Sequence, residues 1–349
     1  MKLLFVFSIL ALSSASSHAG TLRLLNWEDY LSKDAQNLWL EKGHNLETVL
    51  FDNDQKRDAI LINNKKSMID VAVVDETIGR SFGEQGRLME LNTDNVPSLS
   101  HIDPFWRKRC GKFAVPYLWG TMGIAYRTDK VEKAPESWLA LLEPEDYLKG
   151  HIGMMDDYTD MLAPVLFVKG FSINTEKEGQ LKQVFNVLKR QAPEILTYDY
   201  PISFISNRAD SDKLYMAQVY SGDPLTMNDK VESEGLWEYV VPKEGTLLWV
   251  DCLSIPSNAP NQALALEFID FLNKPQIAAL NAEQLYLATP NTAAKAYLSN
   301  EFKNDKSVFP DEEVIRRSDL YQVLTPENIK LRLRITNAIV NIYESSKTR

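Results

Sequence analysis

The sequence predicts an α/β protein built as two lobes, and three observations carry that prediction. Short aliphatic runs alternate with longer stretches of helical period through the chain, the pattern of strands covered by helices. Its 349 residues are about twice the roughly 150 of an average domain. No repeat, low-complexity tract or Gly/Ser linker separates two halves, so the chain is expected to pass between the lobes more than once.

In chain order, Leu22 to Leu25, Leu46 to Phe51 and Val71 to Val74 read as buried strands, because aliphatic and β-branched runs of that length suit a sheet covered on both faces. Helical stretches around Asp34 to Lys42 and Arg57 to Asn63 separate them, and strand-helix-strand order implies parallel pairing. From Pro116 the run Tyr117 to Tyr126 is a long strand able to leave the first lobe. Ile152 to Met155, Leu214 to Tyr220 and Tyr239 to Val241 then supply a second sheet, with a helix over Glu178 to Gln191. Thr246 to Ile255 is extended again. Asn261 is placed as the N-cap of a helix through Leu272 that turns Leu264, Phe268 and Phe271 to one face.

The first residues form a targeting signal rather than part of the fold. Met1-Lys2, the apolar run Leu3 to Leu12 and the small, polar stretch Ser13 to Ala19 match a charged start, an apolar middle and a cleavage zone, with Ser17-His18-Ala19 fitting small-x-small. The run falls short of the ~20 apolar residues of a membrane span. Segment 1–19 is therefore expected to be a signal peptide, and the mature chain to be free and soluble in the periplasm. No cysteine lies at the cleavage zone to suggest a lipid anchor.

Loss of Lys2 with that leader takes the formal charge from −10 to −11. An acidic surface argues against nucleic acid and anionic lipid, and suits cationic ligands or plain solubility. Cys110 and Cys252 form a disulfide in an oxidising compartment or stay as buried small hydrophobes, and spacing does not decide between them. Two cysteines and four scattered histidines make no metal-ligand spacing, so neither a metal nor a cofactor is expected.

Five clusters set carboxylates beside aromatic rings at strand ends: Trp27-Glu28-Asp29-Tyr30, Asp75-Glu76, Asp156-Asp157-Tyr158-Thr159-Asp160, Tyr220-Ser221-Gly222-Asp223 and Trp249-Val250-Asp251. Taken singly, such acids are often helix N-caps and such tryptophans core residues. Together they occupy the place where open α/β sheets bind ligands. A flexible dication needs that combination, since its ammonium groups require carboxylates and its methylenes apolar faces. Asp157 and Asp160 also satisfy a carboxylate-dyad hydrolase on paper, yet no nucleophile elbow, P-loop, dinucleotide fingerprint or Ser-His-Asp order accompanies them.

At these residues the chain resembles the periplasmic spermidine/putrescine-binding proteins of bacterial ABC importers, from about Thr21 to near the C-terminus. The likeness is carried by Leu25 to Tyr30, by Pro116-Tyr117-Leu118-Trp119-Gly120, by Trp249-Val250-Asp251-Cys252-Leu253-Ser254-Ile255-Pro256 and by Thr289-Pro290-Asn291. It implies a type II periplasmic-binding fold with a hinge of crossing strands, lobe 1 being 20–126 plus 250–295 and lobe 2 being 127–249 plus 296–349. It further implies that Trp27 and Tyr30 line the cleft, that Trp249 and Asp251 hold one amine, and that Asp157 and Asp160 hold the other end, with Tyr220 near a family tryptophan. Glu28 and Asp75 add acid where the family is usually neutral, and Tyr286 lies close to a family aromatic position. The expected pocket is thus Trp27, Glu28, Tyr30, Asp75, Asp157, Asp160, Tyr220, Trp249, Asp251 and Tyr286. The resemblance implies an ABC permease as partner, or, as in relatives that sense polyamines, the periplasmic receptor domain of a membrane enzyme controlling cyclic-di-GMP. It implies no enzymatic activity.

Overall fold

The computed structural model describes residues 20–51, 54–233 and 235–347. The expected signal peptide, 1–19, lies outside the described residues. Ten strands form the backbone of the fold: β1 (Thr21–Asn26), β2 (Asn45–Leu50), β3 (Val71–Asp75), β4 (Ala114–Arg127), β5 (Ile152–Gly153), β6 (Ile195–Thr197), β7 (Met216–Tyr220), β8 (Trp237–Val240), β9 (Leu247–Ser254) and β10 (Asp319–Leu320). Their order is β2-β1-β3-β9-β4-β7-β5-β6, with β10 on β9 and β8 on β4.

Two sheets meet in β4. Its first half pairs antiparallel with β9, from Ala114 opposite Ser254 to Thr121 opposite Leu248. Its second half pairs antiparallel with β7, from Met122 opposite Tyr220 to Tyr126 opposite Met216. In the first sheet β1 runs parallel to β2 and β3, and in the second β5 runs parallel to β6 and β7. The chain crosses in β4, returns at the start of β9, where the Thr246 hydroxyl donates to the Met122 carbonyl, and crosses again after β10. These crossings are the hinge that the absence of a linker implied.

Local chemistry explains the elements. β3 is aliphatic from Val71 to Val74 and buried throughout, as strands covered on both faces are. The helix Lys33–Glu41 starts at Ser32, whose side chain accepts from the Ala35 N–H, and buries Trp39 against Phe268 and Phe271. Asn261 immediately precedes the helix Gln262–Leu272, yet its side chain does not cap it. It donates to Asp70 instead, because Asp70 accepts from both the Asn261 backbone N–H (2.8 Å) and its amide (3.3 Å).

Each sheet carries its own core. One cluster gathers β1, β3, the first half of β4 and β9, with Trp106 stacked on Trp119 at 4.8 Å. Two others hold the second lobe, around Trp138, Leu166 and Leu188 and around Phe204 and Trp237. Leu298, Phe302, Val308 and Leu320, which the division by sequence set with the second lobe, are buried in the first cluster. From the C-terminal helix Pro326–Lys347, Ile335 and Ile339 join the second lobe. Cys110 and Cys252, left open by their spacing, are bridged, with Cα atoms 6.0 Å apart.

Candidate functional site

On the first lobe, the loop after β1 presents Trp27 to Tyr30. The Trp27 ring packs 4.2 Å from Phe51, and Asp29 takes a left-handed φ of 52° at the turn. The loop is fastened from below: the Tyr117 hydroxyl donates to the Tyr30 carbonyl (3.0 Å), while Asn281 donates to Tyr117 (3.0 Å) and accepts from the Ser32 N–H (2.8 Å). Tyr117 is the extra residue where the β4 register shifts between Pro116 and Leu118. Pro116 has no N–H to give the ladder, and a bulge accommodates it.

β9 supplies Trp249 and Asp251, two residues apart on one face. The Trp249 ring lies directly over Gly120, where a Cβ would come within 2.5 Å of it. The indole N–H of Trp249 is buried without a partner. The Tyr30 hydroxyl is buried beside Asp251. Its pKa is pushed well above the ordinary phenol value, first by burial and then by the neighbouring Asp251 carboxylate.

Asp75 sits directly opposite Asp251 across the β3–β9 ladder, so the two side chains share a face. Its carboxylate is directed elsewhere. One oxygen caps the helix Glu76–Glu84, accepting from Thr77 N (2.9 Å) and Ile78 N (2.8 Å), and the other takes the Arg57 guanidinium at 2.8 Å. The acid expected to face a ligand is therefore engaged within the lobe. Glu28 is exposed on the loop. Tyr286 is exposed, packs on Phe302 at 5.5 Å and donates to Asp305.

On the second lobe Asp160 is 6% exposed and is gripped by two phenols, Tyr220 at 2.6 Å and Tyr321 on its other oxygen. Asp157 accepts from the Thr159 N–H (2.7 Å) and the Asp160 N–H (3.3 Å), so it caps the turn that presents Asp160. Beside them Tyr200 donates to Asp223 (2.6 Å), which also accepts from the Tyr220 N–H (2.8 Å). Burial pushes the Asp223 carboxyl up to about 7, and those two donors only partly offset it. The lobes meet where the Tyr220 ring stands edge-on to Trp249, centroids 6.4 Å apart.

The structure thus gathers Tyr30, Trp249 and Asp251 on one side and Asp157, Asp160 and Tyr220 on the other, with Trp27 on the first-lobe loop. Sequence reasoning missed Tyr200, Tyr321 and Arg57. Asp199-Tyr200-Pro201 follows β6 and repeats the acid-aromatic signal, but a three-residue strand shows no period. Tyr321 follows a two-residue strand, and it meets Asp160 across a sequence separation of 161. Among the described residues no group of acids, histidines and cysteines is arranged to hold a metal ion, and no helix is long and apolar enough to cross a membrane.

Comparison with known proteins agrees with this architecture. The chain is 33% identical over 341 residues to the norspermidine sensor of Vibrio cholerae, covering 97% of this chain and 94% of that one. It is 27% identical over 321 residues to the spermidine/putrescine-binding periplasmic protein of Escherichia coli, covering 89% and 90%. Among solved structures, the spermidine/putrescine ABC transporter substrate-binding protein of Streptococcus pneumoniae superposes with a TM-score of 0.80 at 26% identity, covering 93% of this chain and all of that one. The two-lobe type II fold implied by the motifs is the fold found. A family model, bacterial extracellular solute-binding protein, matches residues 44–310. By that match, and in keeping with the two lobes and hinge described above, the chain belongs to the bacterial extracellular solute-binding protein family, a family of binders rather than of enzymes.

Proposed function

We propose that this chain binds an aliphatic polyamine of the putrescine, spermidine and norspermidine class in the periplasm and, by closing its lobes, delivers it to an ABC permease. One observation carries the reading: each lobe holds a carboxylate bedded in tyrosine, Asp251 beside Tyr30 and Asp160 between Tyr220 and Tyr321. Two acids on opposite walls suit two ammonium ends, while Trp27 and Trp249 offer faces for methylenes and cations. The leader-like segment 1–19 and the disulfide suit an oxidising, extracytoplasmic compartment. The cleft acts by binding alone, Asp157 serving as a turn cap rather than half of a hydrolytic dyad.

A second reading is that the loaded protein reports to the periplasmic domain of a membrane enzyme that sets cyclic-di-GMP. It is favoured by the greater identity to the norspermidine sensor, 33% against 27% for the Escherichia coli protein. Calorimetry of residues 20–349 with putrescine, spermidine, norspermidine and spermine tests the shared core. Saturable heat is expected, and neither heat nor thermal shift with all four overturns it. In cells lacking the gene, lost uptake of labelled polyamine supports delivery, and altered cyclic-di-GMP with intact uptake supports sensing.

A further inference from the structure

We infer that Arg57 is a specificity-determining residue of the cleft: by engaging Asp75 it limits how many ammonium groups the first lobe accepts. The inference rests on the polyamine reading above. Arg57 is 2% exposed and bonds Asp58 through Nε at 3.0 Å and Asp75 through Nη2 at 2.8 Å. Its guanidinium also lies 5.9 Å from the centre of the Phe51 ring, the ring that backs Trp27. The charge is therefore built into the wall behind the cleft aromatics.

Asp75 and Asp251 face each other in the β3–β9 ladder, and two like charges so placed repel unless something intervenes. Arg57 intervenes. A buried guanidinium itself needs carboxylate partners, so the pairing serves both sides. A ligand feels the remainder. An ammonium drawn toward the Asp75–Asp251 pair meets the positive charge of Arg57, and Asp75 has its other oxygen committed to two helix N–H groups. Of the two acids that face each other in the ladder, Asp75 is thus held back by Arg57 and the helix N–H groups, and Asp251 takes the amine end. Further amines of a longer ligand fall to the second lobe, where Asp160 and Asp223 stand.

The test compares four proteins, parent, Arg57→Met, Asp75→Asn and Arg57→Met/Asp75→Asn, by calorimetry with putrescine and norspermidine and by melting temperature. Arg57→Met is expected to raise norspermidine affinity over putrescine by about tenfold, a shift of about 1.4 kcal/mol, because a second acid becomes open to a second, closely spaced amine. The double variant is expected to return to the parent ratio. Asp75→Asn alone, which leaves the Arg57 charge with Asp58, is expected to lower the melting temperature and to weaken both amines to a similar extent, by less than Asp251→Asn does. An unchanged ratio in a folded Arg57→Met protein overturns the inference. Where that variant does not fold, an affinity loss in Asp75→Asn as large as in Asp251→Asn overturns it, since Asp75 then holds ligand itself. If the parent binds neither amine, the polyamine reading fails instead, and non-additive melting shifts across the four proteins still report the Arg57–Asp75 pairing.

Discussion

Asp251 follows Trp249 by two positions on β9, so ring and carboxylate share one face. Truncating one partner of a buried charge pair costs roughly 2–5 kcal/mol because the other charge is stranded. Asp251→Asn is accordingly expected to weaken polyamine binding by about 30-fold or more, at ~1.4 kcal/mol per decade, with little change in melting temperature. Parent-like binding in calorimetry removes this residue from the site. Such a residue is legible because its signal is local, a strand period with an aromatic two places away. Asp75 also stands at a strand end, but its partner Arg57 sits 18 residues back on an intervening helix, a pairing that no strand pattern reveals. Asp223 makes a second prediction at this scale. Burial raises its carboxyl from the ordinary 3.8 to about 7, so between those values the folded chain holds a proton that the unfolded chain has lost. The associated stability is fully present below pH 4 or so and disappears as pH rises through about 7. Glu76, raised to about 7 mainly by burial, acts in the same sense. Melting temperature followed from about pH 4 to 8 should fall less steeply in Asp223→Asn than in the parent. An identical profile assigns no proton to Asp223.

β4 is the element on which the molecule turns. One strand of 14 residues serves both sheets, and its apolar run past Pro116 made it legible as a strand leaving the first lobe. The very short strands β6 and β10 were missed, because two or three residues carry no periodicity, and β5, expected to run to Met155, ends at Gly153. The C-terminal helix Pro326–Lys347 was also missed, and its buried face explains why: alongside Ile335 and Ile339 it contains Asn328 and Arg332. Arg332 is wholly buried and donates to the Ile173 carbonyl (2.6 Å) and the Thr175 carbonyl (3.0 Å), so a polar residue does the docking that an apolar one usually does. Within β4, Gly120 lets the Trp249 ring lie on the backbone. A Cβ there would sit 2.1 Å from Ser221 Oγ and 2.5 Å from Trp249. Ser221 Oγ is tied to the Thr121 N–H at 3.1 Å, which limits its retreat. Gly120→Ala is expected to cost about 1–3 kcal/mol, as overpacking does, and to weaken polyamine binding by displacing the ring. A variant with parent melting temperature and affinity would show that ring and hydroxyl move aside freely.

At the scale of the molecule, the disulfide decides how the lobes depend on each other. Cys110 and Cys252 are 142 residues apart, a spacing that says nothing of distance until the fold sets the end of the helix Pro104–Cys110 against β9. The loop between them contains most of the second lobe's buried residues, from Met122 to Leu247. When the whole chain unfolds, closing a loop of that length removes about 5 kcal/mol of chain entropy from the unfolded state in the entropic model. If the first lobe unfolds alone, the folded second lobe still holds Thr246 against Met122. The bridge then closes only the short arms 110–122 and 247–252, and a loop of that size is worth about 3 kcal/mol. Should the second lobe unfold alone, the first sheet itself holds β4 beside β9, and the bridge adds nothing. The stabilisation is therefore lopsided, although the bond joins that helix end to β9, which comes from the hinge. Replacing both cysteines by serine is expected to lower global stability by about 2–5 kcal/mol in denaturant. Amide hydrogen exchange should then accelerate in β1, β3 and the first half of β4, while β5 and β7 keep their parent rates. Equal acceleration in both sheets would mean that the lobes open as one cooperative unit, and the hinge would then be a joint for rigid closure only, with no independent unfolding of either side.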